Sequence, residues 1–288
     1  SAGHRPPPEL TARVGDEFLA LLSSSALLGG AATQWDLPAG DIVGRMNDGI
    51  APGTLRLDPL HARLGVDQFD PVSGIPARNV AGVLPGGDPN RFIIVGAHHD
   101  HLGTIVGEGA VAEDDRIFNG ADDNASGVAV VLELARRLAE AELEKSVVFV
   151  TFSGEEQGLL GSGAFASSRI VDLSAVDLMI NVDMAARNAP DPVLVYQGGD
   201  LPIRRSRLQS IADSASLPVT LVTDGVGGSD YIPFEQSGVP VIFSFSGFHD
   251  DYHGVDDEAD RLDYDRLASV TEFVLGIVLS TAVSRNID

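Results

Sequence analysis

Two adjacent aspartates, Asp122 and Asp123, lie in the segment NGADDNASG (119–127), directly before an apolar run at helical spacing: Val128, Val131, Leu132, Ala135 and Leu138. The spacing puts the pair where a loop enters a helix, whose partial positive charge eases one carboxylate there. Two carboxylates side by side repel, and a metal ion is the common remedy. Other groups of ligand type are scattered along the chain: His98, the pair Glu155-Glu156, Asp183 and His253. Cysteine is absent, which excludes disulfides and thiolate catalysis and leaves any metal to His, Asp and Glu.

Something must bring these distant residues together. From Asn79 onward, strand-like runs alternate with helical ones. Strands are expected at about 79–84, 91–97, 146–152, 176–182 and 239–245. Helices are expected from the Asp123 turn to about Leu143, over about 201–216 and over about 261–283. This alternation predicts an α/β fold with a mixed, mostly parallel central sheet and helices on both faces. In such sheets, sites form beyond the carboxyl ends of the strands. His98, Glu155, Glu156 and Asp183 fall at predicted strand ends, and His253 in the loop after one, so all five are expected at one edge.

His98, Asp123, Glu156, Asp183 and His253 make two imidazoles and three carboxylates, a set suited to zinc or a similar divalent ion. Five protein ligands are too many for one tetrahedral zinc and suit two, if one carboxylate bridges. Glu155 is then left over, and a free carboxylate beside an activated water is what a general base needs. Asp100, two residues beyond His98, is expected to orient its imidazole from behind.

In these segments the chain resembles the di-zinc aminopeptidases of metallopeptidase family twenty-eight. The matching stretches are GAHHDHLG (96–103), NGADDNASG (119–127), FSGEEQGLLGS (152–162), NVDM (181–184), GGSDYIPF (227–234) and DYH (251–253), in the family's order. The resemblance implies that His98 and Asp183 hold one zinc, Glu156 and His253 the other, and that Asp123 bridges them. It further implies that Glu155 is the base, that Tyr252 hydrogen-bonds the oxyanion, and that the Asp123-Asn124 peptide is cis. The implied substrates are peptides with free N-termini. Carboxypeptidases or dipeptidases of the same family would need a cation for a substrate carboxylate, for which Arg187 is nearest. Glutaminyl cyclase-like acyltransferases share the fold but use one zinc. A non-catalytic domain would be expected to have lost a ligand or the base, and none is missing. No G-x-S-x-G elbow occurs, which speaks against a serine hydrolase.

The remaining candidates read more plainly. Asp122 is expected to support the site, and Asp230 to stand either behind it or in an ordinary turn. His99 and His101 read as packing or rim residues, since strand alternation points His99 away from His98. His249 reads as a loop hydrogen-bonder, and the acidic run 104–118 as a solvated face. Residues 1–75 match none of the motifs and are expected to pack as an N-terminal segment on a catalytic domain spanning 76–288. A net charge of −23 leaves no basic face for nucleic acid. No apolar run approaches the ~18 residues of a membrane span. With Lys145 the single lysine, the acidic surface favours an extracytoplasmic setting. The start at Ser1, without methionine or signal peptide, fits a processed or trimmed chain.

Overall fold

The alternating runs close into one seven-stranded sheet. The computed structural model describes residues 33–38, 61–66, 78–104, 117–168, 170–224 and 227–283. Its strands are β1 (Thr33–Pro38), β2 (His61–Val66), β3 (Val80–Leu84), β4 (Asp88–His98), β5 (Gly103–Thr104), β6 (Ile117–Phe118), β7 (Lys145–Phe152), β8 (Val176–Asp183), β9 (Val193–Gly198), β10 (Val219–Val222) and β11 (Val241–Phe245). The main sheet runs β10-β9-β11-β8-β4-β7-β3. Strands β11, β8, β4 and β7 are mutually parallel, β10 runs parallel to β9, and the β9–β11 and β3–β7 pairs are antiparallel. The four parallel strands therefore end at the same edge.

Among the described residues, five α-helices cover the sheet: α1 (Gly127–Leu138), α2 (Leu160–Ser167), α3 (Arg205–Ser214), α4 (Ile232–Gln236) and α5 (Tyr264–Ala282). Alternation along each central strand feeds two cores. Ile93, Val95, Val147, Phe149, Leu178 and Ile180 pack with Val130 and Leu134 of α1, Leu208 of α3 and Phe273 and Ile277 of α5. Ile94, Val148, Val150 and Met179 face the other way, toward Phe165 of α2 and Phe234 of α4. Both faces of the central strands β4, β7, β8 and β11 are buried, which is why these strands read as continuous apolar runs.

The start of α1 shows how the sequence sets the geometry locally. Asn124 Oδ1 accepts the Gly127 N–H at 3.0 Å, and Asn124 Nδ2 donates to the Val182 carbonyl at 3.0 Å. A Cβ at Gly127 would come within 2.2 Å of Asn124 Oδ1 and 2.6 Å of the Val182 oxygen. Glycine alone lets the helix start lie against the end of β8. The Asp123-Asn124 peptide is cis, as the family resemblance implies.

Several elements differ from expectation. Strands β9 and β10 and helices α2 and α4 were not anticipated. β9 and β10 are short and sit among Pro- and Gly-rich turns, while α2 contains Gly161 and Gly163 and owes its form to the packing of Phe165. Helix α1 ends at Leu138 rather than near Leu143, and Leu143 enters the core from the connection instead. Apart from β1 and β2, which pair antiparallel, the expected N-terminal segment lies outside the described residues, as does most of the acidic run 104–118. Among the described residues no helix is long and apolar enough to cross a membrane.

Candidate metal centre

At the shared edge, His98 ends β4 in register with Phe152 of β7, and Gly96 pairs with Asn181 of β8. His98 and Asp183 thus finish neighbouring strands at the same level. His98 Nδ1 donates to the Asp100 carbonyl at 3.1 Å, leaving Nε2 facing Asp123 Oδ1 at 3.1 Å and Asp183 Oδ1 at 3.4 Å. A neutral imidazole donating through Nδ1 has a lone pair at Nε2, so three lone pairs converge on one point. Either a proton on Nε2 or a bound cation reconciles them. The second oxygen of Asp123 faces elsewhere: Oδ2 is 3.2 Å from His253 Nε2, which is 3.1 Å from Glu156 Oε2.

These spacings test the donor set. Zinc bonds of about 2.0–2.2 Å in tetrahedral array set ligand atoms roughly 3.3 Å apart. The contacts His98–Asp123, His98–Asp183, His253–Asp123 and His253–Glu156 all run from 3.1 to 3.4 Å. Asp183 Oδ1 is buried without a hydrogen bond, while its Oδ2 accepts from the Ser229 hydroxyl at 2.8 Å, itself held by Asn181 Nδ2 at 2.7 Å. One aspartate offering each oxygen to a different imidazole, with a further carboxylate on either side, fits a pair of divalent ions.

The electrostatics follow from the crowding of carboxylates. Burial disfavours charge on His98, but Asp183 and Asp123 overcome it and raise its pKa well above the ordinary value. Asp183 is opposed by burial and drawn lower by His98. Burial, reinforced by Asp183, Asp230 and Glu156, pushes Glu155 up to about 8. Asp230, also buried and close to Asp183 and Asp100, is pushed up to about 7. The Tyr252 hydroxyl rises to about 12 through burial and the neighbouring carboxylates.

A layer of polar groups holds the centre from outside, and Asp100 takes a different place in it than expected. Its backbone carbonyl, not its carboxylate, meets His98; Oδ1 lies 3.9 Å from the ring. The carboxylate instead accepts the N–H groups of Glu155 at 3.1 Å and Glu156 at 3.4 Å. The turn after His98 points the carbonyl back toward the ring and sends the side chain across to β7. Asp122 Oδ1 accepts the Ala186 N–H at 2.7 Å, fixing the chain beyond Asp183. Asp257 went unrecognised in the sequence. Buried, it accepts the N–H groups of Asp122 and Asp123 at 3.0 Å each, and Asn119 donates to Glu258 beside it at 2.7 Å. The run from Asp256 to Asp260 gave no signal separating Asp257 from its acidic neighbours.

Two histidine readings need correction. His101, expected as a packing or rim residue, places Nδ1 2.6 Å from Glu156 Oε1. His249, expected as a loop hydrogen-bonder, has its side chain only 3% exposed, with Nε2 3.5 Å from Asp122 Oδ2 and no hydrogen bond at either ring nitrogen. In both cases the loop folds inward over the strand ends. Arg187 is engaged as well: it donates to Asp251 Oδ2 at 2.6 Å, and Arg261 donates to the other oxygen at 2.7 Å.

A pocket opens on the centre. His98, Asp123, Glu155, Glu156, Asp183 and His253 form its polar floor, and Met184, Phe243, Phe245, Phe248 and Tyr252 its apolar wall. The Tyr252 ring stacks on His253 at 3.8 Å and meets Phe248 edge-on at 4.7 Å. Met184 (φ 54°) and His253 (φ 55°) hold left-handed backbone, which is uncommon for such residues and concentrates at functional sites.

Known proteins repeat this arrangement of chain. A probable leucine aminopeptidase of Arthroderma otae is 27% identical over 223 residues, covering 73% of this chain and 58% of its own. Leupeptin-inactivating enzyme 1 of Streptomyces exfoliatus is 32% identical over 179 residues, covering 61% of this chain and 37% of its own. The solved aminopeptidase from Aneurinibacillus sp. strain AM-1 superposes with a TM-score of 0.57 at 26% identity, over 73% of this chain and 49% of that one. This chain accordingly spans from about two fifths to three fifths of the length of those relatives. The family model described as Peptidase family M28 matches residues 79–278. That span runs from the threshold of β3 into α5 and takes in every residue gathered at the centre, and by it the chain belongs to peptidase family M28.

Proposed function

We propose that this chain is an aminopeptidase that removes N-terminal residues from peptides with two zinc ions and a glutamate base. The observation that carries the reading is Asp123, whose two oxygens face His98 and His253 separately at 3.1 and 3.2 Å. His98 and Asp183 would hold one ion, His253 and Glu156 the other, with Asp123 shared. Bound there, the ions would supply Lewis-acid polarisation of the scissile carbonyl and acidification of water. Glu155 lines the same pocket and is not needed as a ligand. It accepts the proton of the attacking water at its carboxylate and returns it to the leaving amine. The amide clamp of Asp100 keeps Glu155 and Glu156 turned to different tasks. Tyr252, on the pocket wall, donates its hydroxyl to the developing oxyanion.

The end of the substrate follows from charge. The pocket floor carries four carboxylates and two imidazoles, and Arg187 is taken by Asp251. Such a site favours a cationic α-amine over a terminal carboxylate, and the aminopeptidase names of the relatives agree. The apolar wall supports a bulky apolar side chain on the residue removed. The test compares leucyl peptides with the same peptides N-acetylated. Cleavage of the free form alone is expected. Equal rates on both would rule the reading out.

A further inference from the structure

His101 lies outside the five-residue donor set, yet its side chain is only 8% exposed and is directed at Glu156. Its Nδ1 sits 2.6 Å from Glu156 Oε1, while Glu156 Oε2 is the atom 3.1 Å from His253 Nε2. The two oxygens of Glu156 are therefore divided: one toward His253 and Asp123, one toward His101. A carboxylate only accepts, so Nδ1 is the donor. At 2.6 Å the contact has hydrogen-bond length and falls short of the roughly 3.3 Å between ligands on one zinc ion. The separation of 4.0 Å from His101 Nδ1 to Asp123 Oδ2 is too long for that pattern.

The ring is also built into place. Gly120 holds φ +60°, and a Cβ there would meet the His101 ring at 2.7 and 2.8 Å. The loop carrying Asp123 thus closes over one face of His101. The His253 ring meets it edge-on, at 71° with centroids 5.6 Å apart.

Building on the two-metal reading, we propose that His101 is a positioning residue that occupies Glu156 Oε1 by a hydrogen bond, so that Glu156 offers Oε2 alone to the metal it shares with His253. Without that donor Glu156 is free to rotate and offer both oxygens, which changes the coordination number at this one site. His101 makes no hydrogen bond to His98, Asp183 or Asp123, its nearest approach being 4.0 Å to Asp123 Oδ2, so the site held by His98 and Asp183 is expected to keep its affinity.

The substitutions His101→Leu and His101→Asn separate the roles, because the amide nitrogen of asparagine stands where Nδ1 stands in histidine. Stepwise zinc titration gives the affinity of each site. The visible absorption of the cobalt(II)-loaded protein gives the coordination number, since the bands weaken as it rises. His101→Leu is expected to lose about 10- to 100-fold in affinity at one site only, with weaker cobalt absorption there. His101→Asn is expected to restore both. If His101→Leu does not fold, as judged by circular dichroism, His101→Gln serves, since it moves the donor one bond further out; the same loss is expected. An unchanged affinity and spectrum in the variant lacking the donor would overturn the proposal, as would a His101→Asn protein as weak as His101→Leu. A wild-type chain that takes up a single metal ion would overturn the two-metal reading itself, and this proposal with it.

Discussion

The carboxylate of Asp257 accepts the backbone N–H of Asp123 at 3.0 Å across 134 residues of sequence. With the Asp122 N–H on the same carboxylate, it fastens the loop bearing His253 to the loop bearing Asp123. Asp257→Ala leaves two buried amides without acceptors, at a cost of ~1–3 kcal/mol each. Because these amides set the direction of Asp123, metal affinity is expected to fall about 10- to 100-fold at both sites. Thermal melting and zinc titration of the same preparation check this. Wild-type metal affinity in a destabilised variant would reduce Asp257 to a purely structural part.

Asp123→Ala removes one donor from each side of the centre. Both ions are then expected to bind more weakly, and metal analysis after dialysis should find fewer than two per chain. One tightly held zinc in wild type, unchanged by the substitution, would contradict the shared role and would favour the single-zinc alternative.

Glu155 and Glu156 should separate cleanly. Glu155→Gln keeps both metals and the fold, and kcat falls by ~100- to 10,000-fold, the usual contribution of general acid–base catalysis. Glu156→Ala loses metal along with activity. Turnover near the wild-type level in a metal-replete Glu155→Gln protein would mean that another group carries the proton.

The titrating groups predict a pH dependence of definite sign. In the metal-free fold, His98 is raised above its usual range, Glu155 is raised from 4.5 to about 8 and Asp230 from 3.8 to about 7. Each binds protons more tightly folded than unfolded. The stability they contribute is present below the ordinary values and is lost as pH climbs through the raised ones. Asp183 has the opposite sign, and its share is lost only on acidification. The metal-free protein should therefore melt at lower temperature as pH rises from about 5 to about 8, and zinc loading should release protons. Calorimetric titrations in buffers of different ionisation enthalpy measure that release. Zero release near pH 6 would refute the assignment.

The apolar wall makes a separate claim. Phe245→Ala enlarges the pocket beside Met184 and Phe243, and kcat/KM for leucyl peptides is expected to fall ~10-fold or more, given ~1–3 kcal/mol per methylene of lost contact. Alanyl peptides should be affected less. Parallel losses on both would place the pocket for the side chain elsewhere.

The sheet and the gathering of His98, Glu156 and Asp183 were legible in sequence for one reason. Each follows a long apolar strand, and parallel strands share an edge. Asp123 was legible from its loop-to-helix signature. What the sequence concealed depends on turns rather than on periodicity. Asp100 could be placed beside His98, but whether its carbonyl or its carboxylate met the ring depends on the path of one loop. His101 looked like surplus because its partner, Glu156, lies 55 residues away. The strands β9 and β10 were lost among prolines and glycines, too short for two-residue alternation to stand out.

The order in which the chain supplies this centre has a consequence for its biosynthesis. The strand ends carrying His98 and Asp183 are made early, yet His253 and the Asp257 clamp come after β11. Synthesis must run 159 residues beyond His98 before Asp257 and the fastening it provides exist. Contacts of such long range form late, since the loop-closure entropy must be met before they contribute. On the proposed reading, hydrolysis therefore waits for folding from β4 to beyond β11, and a chain folded only as far as Asp183 lacks His253 and the Asp257 clamp.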